Sequence, residues 1–110
     1  MATSTIKAIS NYGDSNWITI NQYAKYKIRS GVAFVNLSLN GLSLSTNETV
    51  VCTLPNEIRP KDSAENLAMS ITPMSGNSAI TIYVRPQAND IVAFANPATS
   101  YASGVISYPV

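Results

Sequence analysis

The sequence predicts an all-β fold, built as an antiparallel β-sandwich or a jelly-roll-like barrel. Short segments of alternating apolar and polar residues recur at close spacing, and stretches of turn-forming residues separate them. No segment keeps the apolar spacing of an amphipathic helix for three turns. Because strands that bury one face need a second layer to cover it, this pattern favours a closed or two-layered architecture.

The strand predictions follow from this alternation. Asn40-Gly41 lies between two alternating runs, which predicts a type I′ hairpin that buries Val35, Leu37, Leu39, Leu42 and Leu44. The prolines at 55 and 60 predict a stiff, extended connector. We expect residues 1–16 to be a linker or an edge strand and residues 17–110 to form the β-barrel domain. Strands are predicted at 17–21, 24–29, 35–39, 42–45, 49–54, 67–72, 79–85, 90–95 and 104–108.

Composition restricts the classes of partner. The 110 residues suit one domain near the small end of the stable range, which oligomerisation would help. Only 12% of the residues are charged and the net charge is +1, so we expect neither nucleic acid nor an anionic membrane as partner. We also expect no signal peptide and no spanning helix. A lone cysteine, Cys52, excludes an internal disulfide and fits synthesis in a reducing cytoplasm.

Residues suited to catalysis are scarce. Histidine is absent, which removes the commonest general base and nearly all catalytic zinc sites. Glu57, Asp62 and Glu65 are the nearest acidic group, but Arg59 and Lys61 interrupt them in a proline-bounded loop, which indicates solvated loop charges. We therefore expect no enzymatic activity, no cofactor and no metal.

A basic stripe and the aromatic residues each leave two interpretations open. Lys25, Lys27 and Arg29 alternate along one predicted strand, and they either meet phosphate groups or protect an edge strand from aggregation. Trp17 is either a core or inter-subunit anchor or a platform for sugar rings. Tyr26 and Phe34 are expected in the core.

The run 79–85 carries the most suggestive polar face. Thr81, Tyr83 and Arg85 share the outward side, at intervals of roughly 7 Å along an extended strand. An aromatic ring can stack on a sugar, and a guanidinium can fork to hydroxyl or phosphate oxygens. The alternative is an ordinary solvent face with high β propensity.

The segment Thr53–Pro60, the run Ile80–Arg85 and the ending Ser107–Val110 resemble the head domain of receptor-binding and baseplate proteins from siphophages of Gram-positive bacteria, of the lactococcal type. The resemblance implies a homotrimeric β-barrel head on an upstream tail or baseplate module, located at the virion's tail tip. It also implies binding of a host cell-wall saccharide near a subunit interface, with Tyr83, Arg85, Phe94 and Ser103 at the binding positions and Tyr101 nearby. Tyr83 and Arg85 stand where related heads have a histidine and an aspartate.

Three functions follow from these observations. The first is a non-enzymatic phage adhesin that recognises a host cell-surface polysaccharide. The second is a monomeric carbohydrate-binding module of a wall hydrolase or of an accessory tail protein. The third is a purely structural tail or decoration domain, which would form trimers without binding cell walls. In every case the apolar positions Ile80, Ile82 and Val84 are expected in the core.

Overall fold

The computed structural model describes residues 17–61, 65–73 and 76–110. These residues form an all-β domain, which confirms the predicted fold class, and they include a short 3-10 turn at Asn56–Ile58 but no α-helix. The prediction of a linker or edge strand at 1–16 lies outside the described residues. The strands are β1 Ile18–Asn21, β2 Ala24–Arg29, β3 Val32–Ser38, β4 Thr49–Thr53, β5 Leu67–Pro73, β6 Ala79–Arg85, β7 Asp90–Asn96 and β8 Ala102–Pro109.

The eight strands form one antiparallel sheet that curls into a nearly closed barrel, in the order β1-β2-β3-β8-β5-β6-β7-β4. Strand β5 joins the two halves of the sheet, because its end pairs with β8 while its first part pairs with β6. The two outermost strands, β1 and β4, approach each other. The Asn21 side-chain amide on β1 donates to the Val51 carbonyl on β4 at 2.8 Å.

The tight hairpin lies one turn earlier than the sequence predicted. Ser30 and Gly31 both have positive φ, at 53° and 77°, and they join β2 to β3 as a two-residue turn, as Arg29 pairs with Val32. Two left-handed residues are the requirement of a type I′ turn.

The prediction of a hairpin at Asn40-Gly41 is wrong. Of these two residues only Gly41 has positive φ, at 86°, and the Leu42 amide donates to the Leu39 carbonyl at 3.1 Å, as in a type II turn. The chain therefore leaves β3 instead of folding back on it, and Leu44 pairs with Thr99 before β8. The predicted burial still holds for Val35, Leu37, Leu39 and Leu44, while Leu42 is half-buried against the core.

The inward side chains of both halves of the sheet form one hydrophobic core. Tyr26, Ile80, Ile82 and Val84 belong to it, as predicted. Phe34 does not, because it alternates with the buried Ala33 and Val35 and so lies half-buried on the outward side. The largest fully buried side chains include Leu37, Leu39, Leu44, Leu54, Ile58, Ile82 and Ile91.

The connector between β4 and β5 is only partly extended. Pro55 has extended backbone angles, but the 3-10 turn that follows places Ile58 fully in the core. The Tyr108 hydroxyl on β8 donates to the Ile58 carbonyl at 2.8 Å. Burial is the main reason that the pKa of Tyr108 lies well above its ordinary value. The connector is therefore fastened to the last strand.

Candidate functional site

The outward side of β6 has the arrangement that alternation predicts. Ile80, Ile82 and Val84 are buried on the inward side, and Thr81, Tyr83 and Arg85 lie half-buried on the other. Strand β6 is flanked by β5 and β7 along its length. Its outward side chains therefore stand on a rigid part of the sheet.

Tyr83 and Phe94 form the centre of an aromatic face. Their ring centroids are 5.4 Å apart and the ring planes meet at 88°, an edge-to-face contact. In the register of β6 and β7, Phe94 pairs with Thr81, and Tyr83 pairs with Val92. Val92 in turn pairs with Val50 on β4. We call Val50, Tyr83, Val92 and Phe94 the aromatic face.

Two valines show how closely this face is packed. Val92 has no exposed surface although its partners place it on the outward side, so neighbouring side chains cover it. Val50 is 55% exposed. A bulge between Val50 and Cys52 turns Val50 outward while Val51 and Cys52 are buried. The face thus joins two partly exposed rings to an exposed aliphatic side chain.

Arg85 is held by two carboxylates. Its Nε and Nη2 atoms donate to Oδ1 and Oδ2 of Asp90, each at 2.8 Å, and Nη1 donates to Glu48. The hydrogen bond to Asp90 is the main reason that the pKa of Arg85 lies above its ordinary value. These contacts use three of the five N–H donors of the guanidinium, so Arg85 braces the end of the aromatic face and presents only the remainder to a ligand.

The structure does not bring Tyr101 and Ser103 to this face. Ser103 lies on β8, where it pairs with Ser38 on β3 and with Thr72 on β5, so it stands two strands from β6, or roughly 10 Å across the sheet. Tyr101 precedes β8 and is 56% exposed. Of the predicted residues, Tyr83, Arg85 and Phe94 form one group, and the other two form part of a separate surface.

Sequence reasoning missed Val50 and Val92 of the aromatic face and both carboxylates that hold Arg85. Asp90 could have been found, because it pairs with Arg85 across the hairpin between β6 and β7. Glu48 comes from a distant loop, and its approach to Arg85 has no local signal. The outward position of Val50 depends on the bulge in β4.

Tyr26 and Cys52 are two further titratable groups, and both side chains are buried in the core. The Tyr26 hydroxyl donates to the Glu57 carboxylate, and this bond is the main cause that raises the pKa of Tyr26 to about 12. Burial raises the pKa of the Cys52 thiol to about 12. Glu65 is exposed, and Asp62 lies outside the described residues. Within the described ranges no three His, Cys, Asp or Glu side chains form a group that could hold a metal ion.

A groove opens at one end of the barrel. Its volume is about 550 Å³, and Ile18, Tyr26, Ile28 and Glu57 are among the residues that line it. Ile18 pairs with Tyr26, and Ile28 is two residues from Tyr26 on the same side of β2, so the groove exposes inward-facing positions. The aromatic face is not part of its lining.

Comparison with protein-family models, with curated proteins and with solved structures found no match to this chain. In the part of the chain that the structure describes, no helix has the length and apolar character needed to span a membrane.

Proposed function

We propose that this chain is a non-enzymatic saccharide-binding domain, the receptor-binding head of a phage tail. The observation that carries the proposal is the edge-to-face pair of Tyr83 and Phe94 on the outward side of adjacent strands. Aromatic rings offer flat apolar surfaces to the C–H faces of sugars, and the Tyr83 hydroxyl and the half-buried Thr81 add polar groups beside them. Since strands hold both rings, a sugar would meet a preorganised surface.

The phage setting rests on the resemblance of the connector Thr53–Pro60, the run Ile80–Arg85 and the ending Ser107–Val110. In this proposal the head forms a homotrimer, is attached to an upstream tail or baseplate module and recognises a cell-wall polysaccharide of the host. Several copies on one virion would multiply a weak single-site affinity. The ion pairs of Arg85 keep the end of the aromatic face in place.

The test is binding of the protein to cell-wall polysaccharide from several Gram-positive species, followed by substitutions in the aromatic face. Tyr83→Ala and Phe94→Ala should each weaken binding roughly threefold to tenfold, since one aromatic contact contributes about 0.5–1.5 kcal/mol. Tyr101→Ala is the matched control, because it removes a tyrosine that is 56% exposed and directly precedes β8, which β5 separates from β6. Equal losses in all three variants, or no loss in the first two, would contradict the assignment.

A structural role is the second candidate, and the exposed Val50 favours it. An aliphatic side chain that is 55% exposed beside two aromatic rings also suits contact between subunits. Light scattering and wall binding separate the possibilities. A trimer that binds walls supports the adhesin, a trimer without binding supports a structural domain, and a monomer that binds supports a carbohydrate-binding module.

A further inference from the structure

The outward side of β2 fixes the point at which the chain enters the barrel. The Lys27 ammonium lies 4.5 Å from the centroid of the Trp17 ring, and that of Lys25 lies 5.8 Å from it. Trp17 is half-buried outside the core cluster, which contradicts its prediction as a core residue. Lys25 pairs with Thr19 on one side and with Asn36 on the other, so protection of an edge strand is also the wrong interpretation for Lys25. The two lysines hold Trp17 against β2.

Next to Trp17, two inward-facing isoleucines of β1 and β2 are exposed. Ile18 lies opposite the buried Tyr26, and Ile28 lies two residues further along the same side of β2. Nevertheless Ile18 is 51% exposed and Ile28 is 45% exposed, and both line the groove at this end of the barrel. Because burial of apolar surface stabilises a fold, such positions are normally covered by another element. The described residues leave both of them open to the groove.

The edge of β1 is open at the same end. β1 is one end of the strand order, and β4 is the other. The Asn21 side chain links β1 to β4, but Ile18 is at the opposite end of β1, roughly 10 Å away. In the part of the chain that the structure describes, no strand pairs with Ile18 on this side. The edge beside Ile18 can therefore accept one more strand.

The sequence immediately before β1 predicts such a strand. Gly13-Asp14 is a two-residue hairpin signal of the type II′ class, with glycine at the position that needs positive φ. A two-residue turn there places residue 12 opposite residue 15, and hence Ile9 opposite Ile18. Residues that lie opposite each other in an antiparallel pair share one side of the sheet, so Ile9 would face the groove. The same alternation places Ile6 on the other side.

A tethered segment fits this groove better than a separate ligand. Glu57 lines the groove together with Lys27 and Arg29, so its charges have both signs and favour no strongly charged partner. Residues 1–16 likewise contain one lysine and one aspartate. Because Trp17 fixes the start of β1 at the rim of the groove, the segment is held there at a high effective concentration, whereas a separate molecule would lose its freedom of motion on binding.

We propose that residues 9–12 form an additional strand on the free edge of β1, joined to it by a turn at Gly13-Asp14, and that Ile9 covers Ile18 in the groove. The groove is then an intramolecular docking site that completes the barrel, with this chain's own segment as its occupant. The inference goes beyond the proposed function, since Tyr83 and Phe94 are not part of the groove's lining.

The direct test is a nuclear Overhauser experiment on the full chain with isotopically labelled isoleucine methyl groups. Opposite residues of an antiparallel pair have Cβ atoms about 4.5–5.5 Å apart, so we expect a cross-peak between the methyl groups of Ile9 and Ile18. The variants Ile9→Val and Ile18→Val identify the two signals. An equimolar mixture of these variants, refolded together from urea, should show no such cross-peak, because neither chain contains both isoleucines.

A double-mutant cycle tests whether the contact stabilises the fold. Ile9→Ser and Ile18→Ser should each lower the thermal midpoint of unfolding by roughly 4–8 °C, because each removes the same apolar contact. The double variant should fall little further than either single variant, since the effects of residues in contact do not add. Ile6→Ser is the matched control, because it makes the same change in the same segment on the other side of the predicted strand. It should lower the midpoint by less than about 2 °C, and its effect should add to that of Ile18→Ser.

Three results would overturn the proposal. The first is the absence of the cross-peak in the full chain. The second is a cross-peak that persists in the mixture of Ile9→Val and Ile18→Val chains, which would identify a second copy of the chain as the occupant of the groove. The third is an additive effect of Ile9→Ser and Ile18→Ser on the thermal midpoint. None of these measurements involves Tyr83 or Phe94, so failure here and failure of the proposed function are separate outcomes.

Discussion

Asn21 is predicted to hold the barrel closed. Its side-chain amide donates to the Val51 carbonyl at 2.8 Å, which links the outermost strands β1 and β4. Its Oδ1 atom accepts the amides of Tyr23 and Ala24 at 2.8 and 3.0 Å, which shapes the turn into β2. Asn21→Asp keeps the oxygen that accepts the turn hydrogen bonds but removes the N–H donor to the Val51 carbonyl. This variant therefore measures the effect of the bond between β1 and β4 without the effect of the turn.

The expected loss in the free energy of unfolding follows from the hydrogen bonds that each variant loses. A neutral hydrogen bond contributes about 0.5–1.5 kcal/mol, and leaving a partly buried group unpaired costs about 1–3 kcal/mol. Asn21→Asp also places a negative charge beside the Val51 carbonyl, so we expect the free energy of unfolding to fall by roughly 1.5–3 kcal/mol. Asn21→Ala loses the turn bonds as well and should cost roughly 2.5–4 kcal/mol.

The assay is equilibrium unfolding in urea, combined with hydrogen exchange of backbone amides. Thermal midpoints should fall by roughly 4–8 °C for each kcal/mol in a domain of this size. Exchange should accelerate first in β1 and β4, because these strands lose their link while the rest of the sheet keeps its partners.

Asn40→Asp is the control for the change in charge. Asn40 is exposed in the turn after β3, where a surface substitution should change stability by no more than about 0.5 kcal/mol. If Asn21→Asp were as stable as Asn40→Asp and exchange in β1 and β4 were unchanged, the reasoning that this bond closes the barrel would be refuted.

Three further predictions concern the interior and the groove. Gly104→Ala should destabilise the domain by about 1–3 kcal/mol in urea unfolding, because the added Cβ would lie 3.0 Å from both Cβ and Cγ2 of Ile71. Unchanged stability would contradict this close contact. At pH 8 iodoacetamide should alkylate Cys52 roughly a thousandfold more slowly than an ordinary thiol, since burial raises its pKa to about 12, and urea should remove the difference. The hydrogen bond to Glu57 raises the pKa of the Tyr26 hydroxyl to about 12. The bond therefore contributes its full stabilisation of the fold below pH 10, and this stabilisation is lost as the pH rises through 12. Tyr26→Phe should therefore be less stable than the natural chain at pH 8, with a difference that narrows above pH 10; a constant difference would be evidence against the bond.

Strand positions could be predicted where alternation and turn signals agree. β2 at Ala24–Arg29 and β6 at Ala79–Arg85 have the predicted bounds, since each has one apolar side and ends at turn residues. In β3 apolar residues occupy both sides, so the pattern alone did not decide that Phe34 faces outward. The error at Asn40-Gly41 has a similar cause, because the partner of Leu44 is the distant Thr99 and a local rule cannot identify it.

For the candidate site, the sequence could predict which side chains of a strand face outward, but not which strands are neighbours. Alternation along β6 placed Tyr83 and Arg85 on the outward side, whereas Phe94 was predicted only from the family resemblance. The structure places the Phe94 ring against that of Tyr83. The strand order decides which outward residues are neighbours, and it separates Ser103 from Tyr83 by placing β5 between their strands. Long-range ion pairs such as that of Arg85 with Glu48 also depend on this order, so they emerged only from the folded chain.

Strand β8 is late in the chain yet central in the sheet, between β3 and β5. Until β8 has left the ribosome, the backbone edges of β3 and β5 that pair with it would lack hydrogen-bonding partners. The two halves of the sheet could not pair through β8 before that point. Assembly must then wait for contacts between segments far apart in sequence, which slows folding. The Ile58 carbonyl likewise has no Tyr108 hydroxyl until that moment, so synthesis in the cell exposes this domain to aggregation up to its final strand.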